Sequence, residues 1–137
     1  MRTVFAVILL ALLAPAEAQE FIGLAEQSIK EIMLSEKPDM AIDKMARNNT
    51  YRYLKYRTRD DSETWVIFLN EKGRCKGVRI TCDNGCYDKK LKELNGLYSP
   101  VDGNRWIYLA GGSEIEVILK RESWFFTVTY EQTKHKG

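Results

Sequence analysis

Two pairs of carboxylates are the residues of this sequence whose spacing could support acid–base chemistry. Asp60 and Asp61 are adjacent in the chain, and one residue separates Glu114 from Glu116. On a strand, Glu114 and Glu116 would project from the same face, and if both were buried, one pKa would rise. Glycoside hydrolases use a pair of carboxyl groups for catalysis. Adjacent acids in a turn, or acids on a solvated strand face, are more often structural, so we predict that the chain is not an enzyme.

The single histidine limits nucleophilic and metal chemistry. His135 lies in the terminal segment "KHKG", and no other histidine is present to activate a serine or cysteine nucleophile. The sequence contains no Walker, Rossmann, G-x-S-x-G or H-E-x-x-H pattern. Cys75, Cys82 and Cys86 have the spacing C-x6-C-x3-C, which lacks the paired C-x2-C of a structural zinc site. We therefore predict neither a metal nor another cofactor.

The first residues have the pattern of a secretory signal. Arg2 precedes an apolar stretch, Val4 to Leu13, which is shorter than the about 20 residues that a transmembrane helix needs. Ala16-Glu17-Ala18 then matches a small-x-small cleavage site. We predict a signal peptide over residues 1–18 and a secreted, extracellular protein without a membrane anchor.

The remaining region, 19–137, has the size and composition of one domain. We predict that it is β-rich and that its first segment, 19–47, is helical. The formal net charge of +2 does not favour nucleic acid or an anionic membrane as a partner. Asn48 begins an N-glycosylation sequon, Asn-Asn-Thr.

The odd number of cysteines predicts one disulfide and one remaining thiol in an oxidising compartment. Cys75 could pair with Cys82 or with Cys86, and Cys82 could instead pair with Cys86 across the "DNG" turn. The third cysteine would then stay free, lie buried, or link a second copy of the chain as a disulfide-bonded dimer. The sequence leaves these alternatives open.

Hydrophobic periodicity separates a helical start from a β-rich remainder. Apolar residues recur at steps of three and four from Gln19 to Lys37, which predicts an amphipathic helix that Pro38 ends. Asp39 then has the character of an N-cap for a short second helix over 40–46. From Thr50 onward the period changes to two, which is typical of strands.

Six or seven antiparallel strands are predicted from alternation and turn residues, and their regular spacing favours a sandwich or a barrel. The segment 87–96 is ambiguous between helix and strand. The predicted strands cover 50–58, 64–70, 75–82, 105–109, 114–119 and 123–130.

A faint internal similarity links two of the predicted hairpins. Each begins with an aromatic strand, continues through a polar turn and ends in a strand that contains a glutamate and an apolar run. Glu63 aligns with Glu114, and Tyr53 aligns with Trp106. We interpret the similarity as two β-hairpins with the same pattern, since no solenoid period is present.

The strand that follows Thr50 mixes aromatic and basic residues. Alternation directs Tyr51, Tyr53 and Lys55 to one face and Leu54 with Tyr56 to the other. The simplest interpretation is a half-buried sheet whose cationic side chains cover the aromatic rings. Single-stranded nucleic acid is a less favoured partner, because the chain is predicted to be secreted and an acidic turn follows.

The alternative is a ligand pocket inside a small barrel, where aromatic side chains and a few polar groups enclose a small hydrophobic molecule or an amine. The available groups are Asp61, Trp65, Trp106, Tyr108, Glu114 and Glu116, with Trp124 as a further aromatic.

Four short motifs follow one another between Pro38 and Thr81. They are an Asp-Met-Ala start, an aromatic strand, an acidic turn followed by a tryptophan, and a cysteine that begins a C-x-G-V strand. Their residues are Asp39-Met40-Ala41, Tyr51-Arg52-Tyr53-Leu54, Arg57-Thr58-Arg59-Asp60-Asp61, Trp65 and Cys75-Lys76-Gly77-Val78. In this order the segment resembles the N-terminal part of the tick salivary lipocalins, the family that includes the histamine-binding proteins.

The resemblance implies a mainly β (α+β) fold, in which an N-terminal helix precedes an antiparallel meander that forms a lipocalin-like small or incomplete barrel. It also implies a secreted salivary protein that sequesters a small host mediator, such as a biogenic amine or a lipid. Asp61 and Trp65 match positions that contact the ligand in amine-binding members. The alternative function is a secreted module that binds a host immune or haemostatic protein. A helix packed across an open sheet would instead favour a different, cystatin-like or unassigned fold.

Overall fold

The computed structural model describes residues 18–43, 52–110 and 112–133. These residues form one antiparallel sheet of eight strands and two α-helices, together with two short 3-10 turns. The mainly β fold with an N-terminal helix and an antiparallel meander is therefore confirmed. The helices are α1 (Glu26–Glu36) and α2 (Tyr87–Leu97). The strands are β1 (Met40–Ile42), β2 (Arg52–Thr58), β3 (Glu63–Leu69), β4 (Cys75–Asp83), β5 (Ser99–Asp102), β6 (Arg105–Ala110), β7 (Ser113–Arg121) and β8 (Phe125–Gln132).

The sheet consists of two consecutive halves, each built from one helix followed by a four-strand meander. The strand order is β1-β2-β3-β4-β8-β7-β6-β5, so the halves meet where β4 pairs with β8. Strands β1 and β5 lie at opposite ends of this order, and the described sheet is open. The predicted barrel is thus not confirmed. The two edge strands are short, and β5 contains Pro100, a residue that is tolerated at a sheet edge because it lacks an N–H group.

The core lies between the two helices and one face of the sheet, which we call the inner face. Alternate residues of every long strand point to it, as the period of two requires. In α1, Ile29 and Met33 are four residues apart, lie on one side of the helix and are completely buried, whereas Leu34 on the other side is 78% exposed. In α2, Leu94 is the buried residue. The opposite side of the sheet, the outer face, is not covered by either helix.

The structure corrects two sequence predictions about local structure and resolves one segment that the sequence left ambiguous. Met40–Ile42 is not part of a helix but pairs with β2, because a short apolar segment can satisfy the open hydrogen bonds of that strand. The ambiguous segment after Cys86 is the helix α2. The sheet has eight strands, since β1 and the exposed β5 were not predicted.

The two hairpins that share a sequence pattern, β2–β3 and β6–β7, are confirmed as hairpins. They are the second and third strands of the two halves. The aligned residues nevertheless face opposite sides. Tyr53 lies on the outer face and Trp106 is buried on the inner face. The similarity thus reflects the hairpin pattern and not equivalent side-chain positions.

The predicted disulfide is not formed in this structure, where Cys75, Cys82 and Cys86 are free thiols. Cys75 and Cys82 lie on the same strand, seven residues apart, so about 23 Å separates them at about 3.3 Å per residue. Cysteines whose Cα atoms are more than about 7 Å apart cannot be joined. Cys86 follows the far end of the same strand, so Cys82–Cys86 is the one pairing that the fold leaves within reach.

The thiols are expected to differ sharply in reactivity. Burial raises the pKa of Cys75 to about 11 and that of Cys82 to about 12, whereas Cys86 is exposed. Because the thiolate is the nucleophile, iodoacetamide at pH 8 should label Cys86 in the folded protein and the other two only after unfolding. Mass spectrometry of the labelled peptides measures this order. Labelling of Cys75 before unfolding would contradict the fold around β4.

Candidate functional site

Trp65, one of the predicted ligand residues, is a core residue of the inner face. Its ring lies 6.0 Å from that of Phe21, centroid to centroid, and the Lys37 Nζ sits 4.9 Å above it. Its indole Nε1 donates a hydrogen bond of 2.8 Å to Glu63 Oε1. The indole is therefore satisfied by residues of the protein itself.

Trp106 and Tyr108 lie on β6, on the side of the sheet that α2 covers. Trp106 is completely buried, and its Nε1 donates a hydrogen bond of 2.9 Å to Asn95 Oδ1 on α2. Tyr108 stacks on Tyr98 with 4.7 Å between the ring centroids. Burial raises the pKa of Tyr108, with a further contribution from Tyr98. These aromatic side chains fill the space between α2 and the sheet.

The three predicted carboxylates lie elsewhere. Asp61 is exposed in the β2–β3 turn, where its backbone φ is 60° and its carboxylate is 3.8 Å from Arg57 Nε. Glu114 and Glu116 project from β7 on the outer face, and Glu116 forms an ion pair of 3.4 Å with Arg105. The structure thus distributes the six predicted ligand residues over the core, a turn and the outer face, and does not bring them into one pocket.

The acidic pair in the β2–β3 turn has a structural explanation. Asp60 Oδ1 accepts hydrogen bonds from the Ser62 hydroxyl at 2.8 Å, the Ser62 backbone N–H at 3.1 Å and the Thr58 hydroxyl at 2.8 Å. These bonds favour the charged carboxylate and lower the pKa of Asp60 to about 2. Asp60 therefore closes the turn, as aspartate commonly does.

Several connections meet at the end of the sheet that contains this turn. The Asp83 N–H donates a hydrogen bond of 3.3 Å to the Ser62 carbonyl, which links the end of β4 to the β2–β3 turn. The Asn84 side chain donates two hydrogen bonds of 3.1 Å, to the carbonyl groups of Glu122 and Ser123. One asparagine thus fixes the β7–β8 turn against the start of the second half of the chain.

The β7–β8 turn presents two aromatic residues to solvent, and we call residues 122–125 the aromatic tip. Trp124 is 86% exposed, and Phe125 is 38% exposed. The turn is closed by a hydrogen bond of 2.7 Å from the Glu122 N–H to the Phe125 carbonyl. Just before it, the Arg121 guanidinium lies 4.4 Å from the centroid of the Tyr87 ring. Trp124 is therefore a solvent-exposed indole on a backbone that is fixed from several sides.

Sequence reasoning included Trp124 only as a further aromatic. In "SWFFTVTY", the period of two places it with the inward-facing Phe126, Val128 and Tyr130. However, β8 begins at Phe125, and Trp124 belongs to the turn, where alternation no longer applies. The signal that could have located it is the charged segment Lys120-Arg121-Glu122, where β7 ends and the turn begins.

Comparison of the chain with protein-family models, with curated proteins and with solved structures finds no match. The similarity to tick salivary lipocalins therefore rests on the short motifs quoted above. Within residues 18–43, 52–110 and 112–133, neither helix is long and apolar enough to cross a membrane. The same residues contain no cluster of three or more potential metal ligands. Four features of the sequence lie outside the described residues. They are the sequon that begins at Asn48, the residues Tyr51 and His135, and most of the predicted signal peptide.

Proposed function

We propose that this protein is a secreted, non-enzymatic binding protein that docks onto a protein partner through the aromatic tip. The observation that supports the proposal is the exposure of Trp124, an indole that is 86% accessible on a fixed turn. Tryptophan is enriched among the residues that dominate binding energy in protein interfaces. Covering it with a partner would remove on the order of 150 Å² from water, about 4 kcal/mol before the costs of association.

The rigidity of the tip favours binding. Asn84 and the Glu122–Phe125 hydrogen bond fix the backbone that carries the indole. A side chain on a fixed backbone loses less conformational freedom when it is bound, so more of the contact energy appears as affinity. The backbone that carries Trp124 is thus preorganised for binding.

The surroundings of the tip match the edge of a protein interface. Asp83, Ser123 and Arg121 are exposed around the two aromatic residues, and a polar rim around an apolar anchor is typical of such interfaces. The carboxylates of Asp83 and Glu122 disfavour an anionic membrane as the alternative surface. A protein partner therefore fits this end of the sheet better than a lipid surface.

A relationship to the tick salivary lipocalins belongs to the same proposal, although helices that pack across an open sheet, as here, are the arrangement expected of a different fold. It is supported by the motifs between Pro38 and Thr81. Secretion is supported by the signal pattern over residues 1–18. In this proposal, sequestration acts on a protein, because the aromatic side chains that would line a cavity for a small mediator are packed against the helices.

The test is capture of a partner from host plasma on the immobilised full chain, compared among three forms of the protein. We expect Trp124→Ala to weaken retention of the captured protein by at least about 30-fold, which corresponds to about 2 kcal/mol. Leu109→Ala is the matched control, because Leu109 is 79% exposed and lies at the end of β6 that is far from the aromatic tip. Affinities of the isolated partner, measured by surface plasmon resonance, give the comparison.

Equal losses in the two variants, or none in Trp124→Ala, would refute the proposal. A second arm uses vesicles that contain phosphatidylserine. The indole fluorescence of the wild-type protein is expected to stay unchanged with these vesicles and to shift to the blue with the protein partner. A blue shift with the vesicles alone would assign the tip to a membrane.

A further inference from the structure

The outer face of the sheet is divided by charge into a basic part and an acidic part. Cross-strand pairing aligns outward residues of neighbouring strands into rows that run perpendicular to the strands. Two adjacent rows, which we call the basic rows, lie towards the end that carries the aromatic tip. The first row is Arg57, Thr64, Thr81, Thr127 and Lys120, and the second is Lys55, Val66, Arg79, Thr129, Ile118 and Arg105.

The composition of the basic rows is one-sided. From β2 across the sheet to β6 they hold three arginines, two lysines and four threonines, and no aspartate or glutamate. Beyond this stretch, Asp43 lies at the end of the second row, where its backbone N–H donates a hydrogen bond of 2.8 Å to the Lys55 carbonyl. Glu131 and Glu116 lie opposite each other in the next row of this face, and Glu114 lies two residues further along β7. The separation of the basic residues from the carboxylates places a line of cations across the central strands, although the net charge of the whole chain is only +2.

The cations are spaced along a line and not gathered at a point. Neighbouring strands lie about 4.8 Å apart, and Arg79 is two strands from Lys55 and three from Arg105. The separations along the row are therefore about 10 Å and about 14 Å. Cations spread along a line in this way suit a linear polyanion with charges at intervals better than a single small anion.

A shallow depression of about 440 Å³ overlaps the basic rows and includes Arg79 and Lys120 in its lining. Thr127 and Thr129 supply hydroxyl groups to the lining, and Ile118 supplies an apolar surface. Glu131 and Glu122 complete its lining. A sugar ring offers the complementary combination, since it has hydroxyl groups, an apolar ring face and, when sulfated, anionic oxygens.

Two of the cations are available without breaking an ion pair. In the described part of the chain, neither Arg79 nor Lys55 has a carboxylate oxygen within 4.0 Å, and the Arg79 guanidinium lies 5.5 Å from the Phe68 ring centroid. Lys120 is 3.3 Å from Glu122 in a pair whose side chains are both exposed. Exposed pairs contribute little to stability, so a sulfate group can replace the carboxylate at low cost.

We infer that the basic rows bind a linear sulfated polysaccharide. Single-stranded nucleic acid also carries regular charge, but it is bound by aromatic side chains on which the bases stack. Neither row contains an aromatic residue. Hydroxyl groups and cations on a flat surface match the sugar hydroxyls and sulfate groups of a glycan. The site adjoins the aromatic tip at Glu122 but relies on other residues, so it does not depend on the function proposed for that tip.

The test measures heparin binding to the full chain by isothermal titration calorimetry at several salt concentrations. The variant Arg79→Gln/Lys120→Gln removes two charges from the basic rows, and Lys89→Gln/Lys92→Gln removes two exposed charges from α2, which covers the other face. We expect the first variant to bind about tenfold more weakly and its salt dependence to fall by about one to two released ions. The second variant is expected to bind like the wild-type protein. Thermal melts confirm that both variants are folded.

Four outcomes would overturn the inference. Equal weakening in the two variants would show that net charge alone attracts heparin. Equal affinity for desulfated heparin, or full competition by sodium sulfate at the same sulfate concentration, would exclude recognition of a sulfated chain. Equal affinity for single-stranded DNA of the same charge would assign the face to polyanions in general. Retained preference for sulfated heparin, lost only in Arg79→Gln/Lys120→Gln, supports the inference.

Discussion

Replacement of Trp106 with alanine is expected to lower the free energy of unfolding by about 3–5 kcal/mol. Trp106 is the largest of the completely buried side chains, so its removal leaves a cavity between β6 and α2 and also removes the hydrogen bond to Asn95. A loss of this size is a large part of the 5–15 kcal/mol that is typical of a small domain. Urea denaturation followed by circular dichroism measures it as a lower midpoint at an unchanged slope.

The control for this prediction is the same substitution at an exposed site. Trp124→Ala is expected to change the free energy of unfolding by no more than about 0.5 kcal/mol, because Trp124 is in contact with water and not with the core. Asn95→Ala isolates the hydrogen bond and is expected to cost about 1 kcal/mol. Similar losses for Trp106→Ala and Trp124→Ala would mean that the inner face is not packed as described.

Replacement of Ile29 with alanine is expected to cost about 2–5 kcal/mol, the usual range for a fully buried aliphatic side chain. Ile29 faces the sheet from α1 and is completely buried. The substitution removes apolar contact without disturbing the helix, since alanine has the highest helix propensity. Thermal unfolding measures the loss as a lower midpoint temperature.

Leu34→Ala is the matched control on the same helix. Leu34 is 78% exposed, so its truncation should change stability by less than about 0.5 kcal/mol, and the better helix propensity of alanine can even raise it slightly. A large loss in Leu34→Ala together with a small loss in Ile29→Ala would place the opposite side of α1 against the sheet. That result would contradict the orientation of α1, in which Ile29 faces the sheet and Leu34 faces the solvent.

Much of the fold was predictable because strand alternation and burial agree. In β2, the sequence directs Leu54 and Tyr56 to one face and Tyr53 with Lys55 to the other, and the structure has the first pair buried and the second pair half-exposed. Each long strand of the second half was also predicted to within a few residues. These strands alternate because one face of the sheet is covered by helices and the other is solvated.

The errors arise from contacts with other parts of the chain. Met40–Ile42 is too short to show a period, and its strand conformation comes from pairing with β2 and not from its own propensity. The helix predicted from Gln19 begins only at Glu26, because Gly23 adopts a φ of 93° and the segment before α1 forms hydrogen bonds with Cys75. These contacts join residues about fifty positions apart, and no pattern within a short window contains them.

The candidate site was less predictable than the fold. The aromatic residues selected for a pocket are large and apolar, and the same properties make Trp65 and Trp106 the best residues to fill a core. The exposed tryptophan was hidden because it directly precedes a strand. The basic rows depend on the register of five strand pairings, since Arg57 and Lys120 are 63 positions apart in the sequence but lie in one row. Charge segregation of this kind becomes visible only when the strand register is known.

The pairing of β4 with β8 has a consequence for the order in which the protein assembles. During synthesis, β1 to β4 can form their meander as soon as they leave the ribosome, because each pairs with a neighbour in the chain. The partner of β4 is β8, which follows only after α2 and three further strands. Until then, the backbone groups of Gly77 to Asp83 that later pair with β8 are open to other nascent chains. The free edge of β4 therefore waits for its partner until the last strand is made, although it lies at the centre of the finished sheet. Aggregation of the growing chain is expected to begin at this edge.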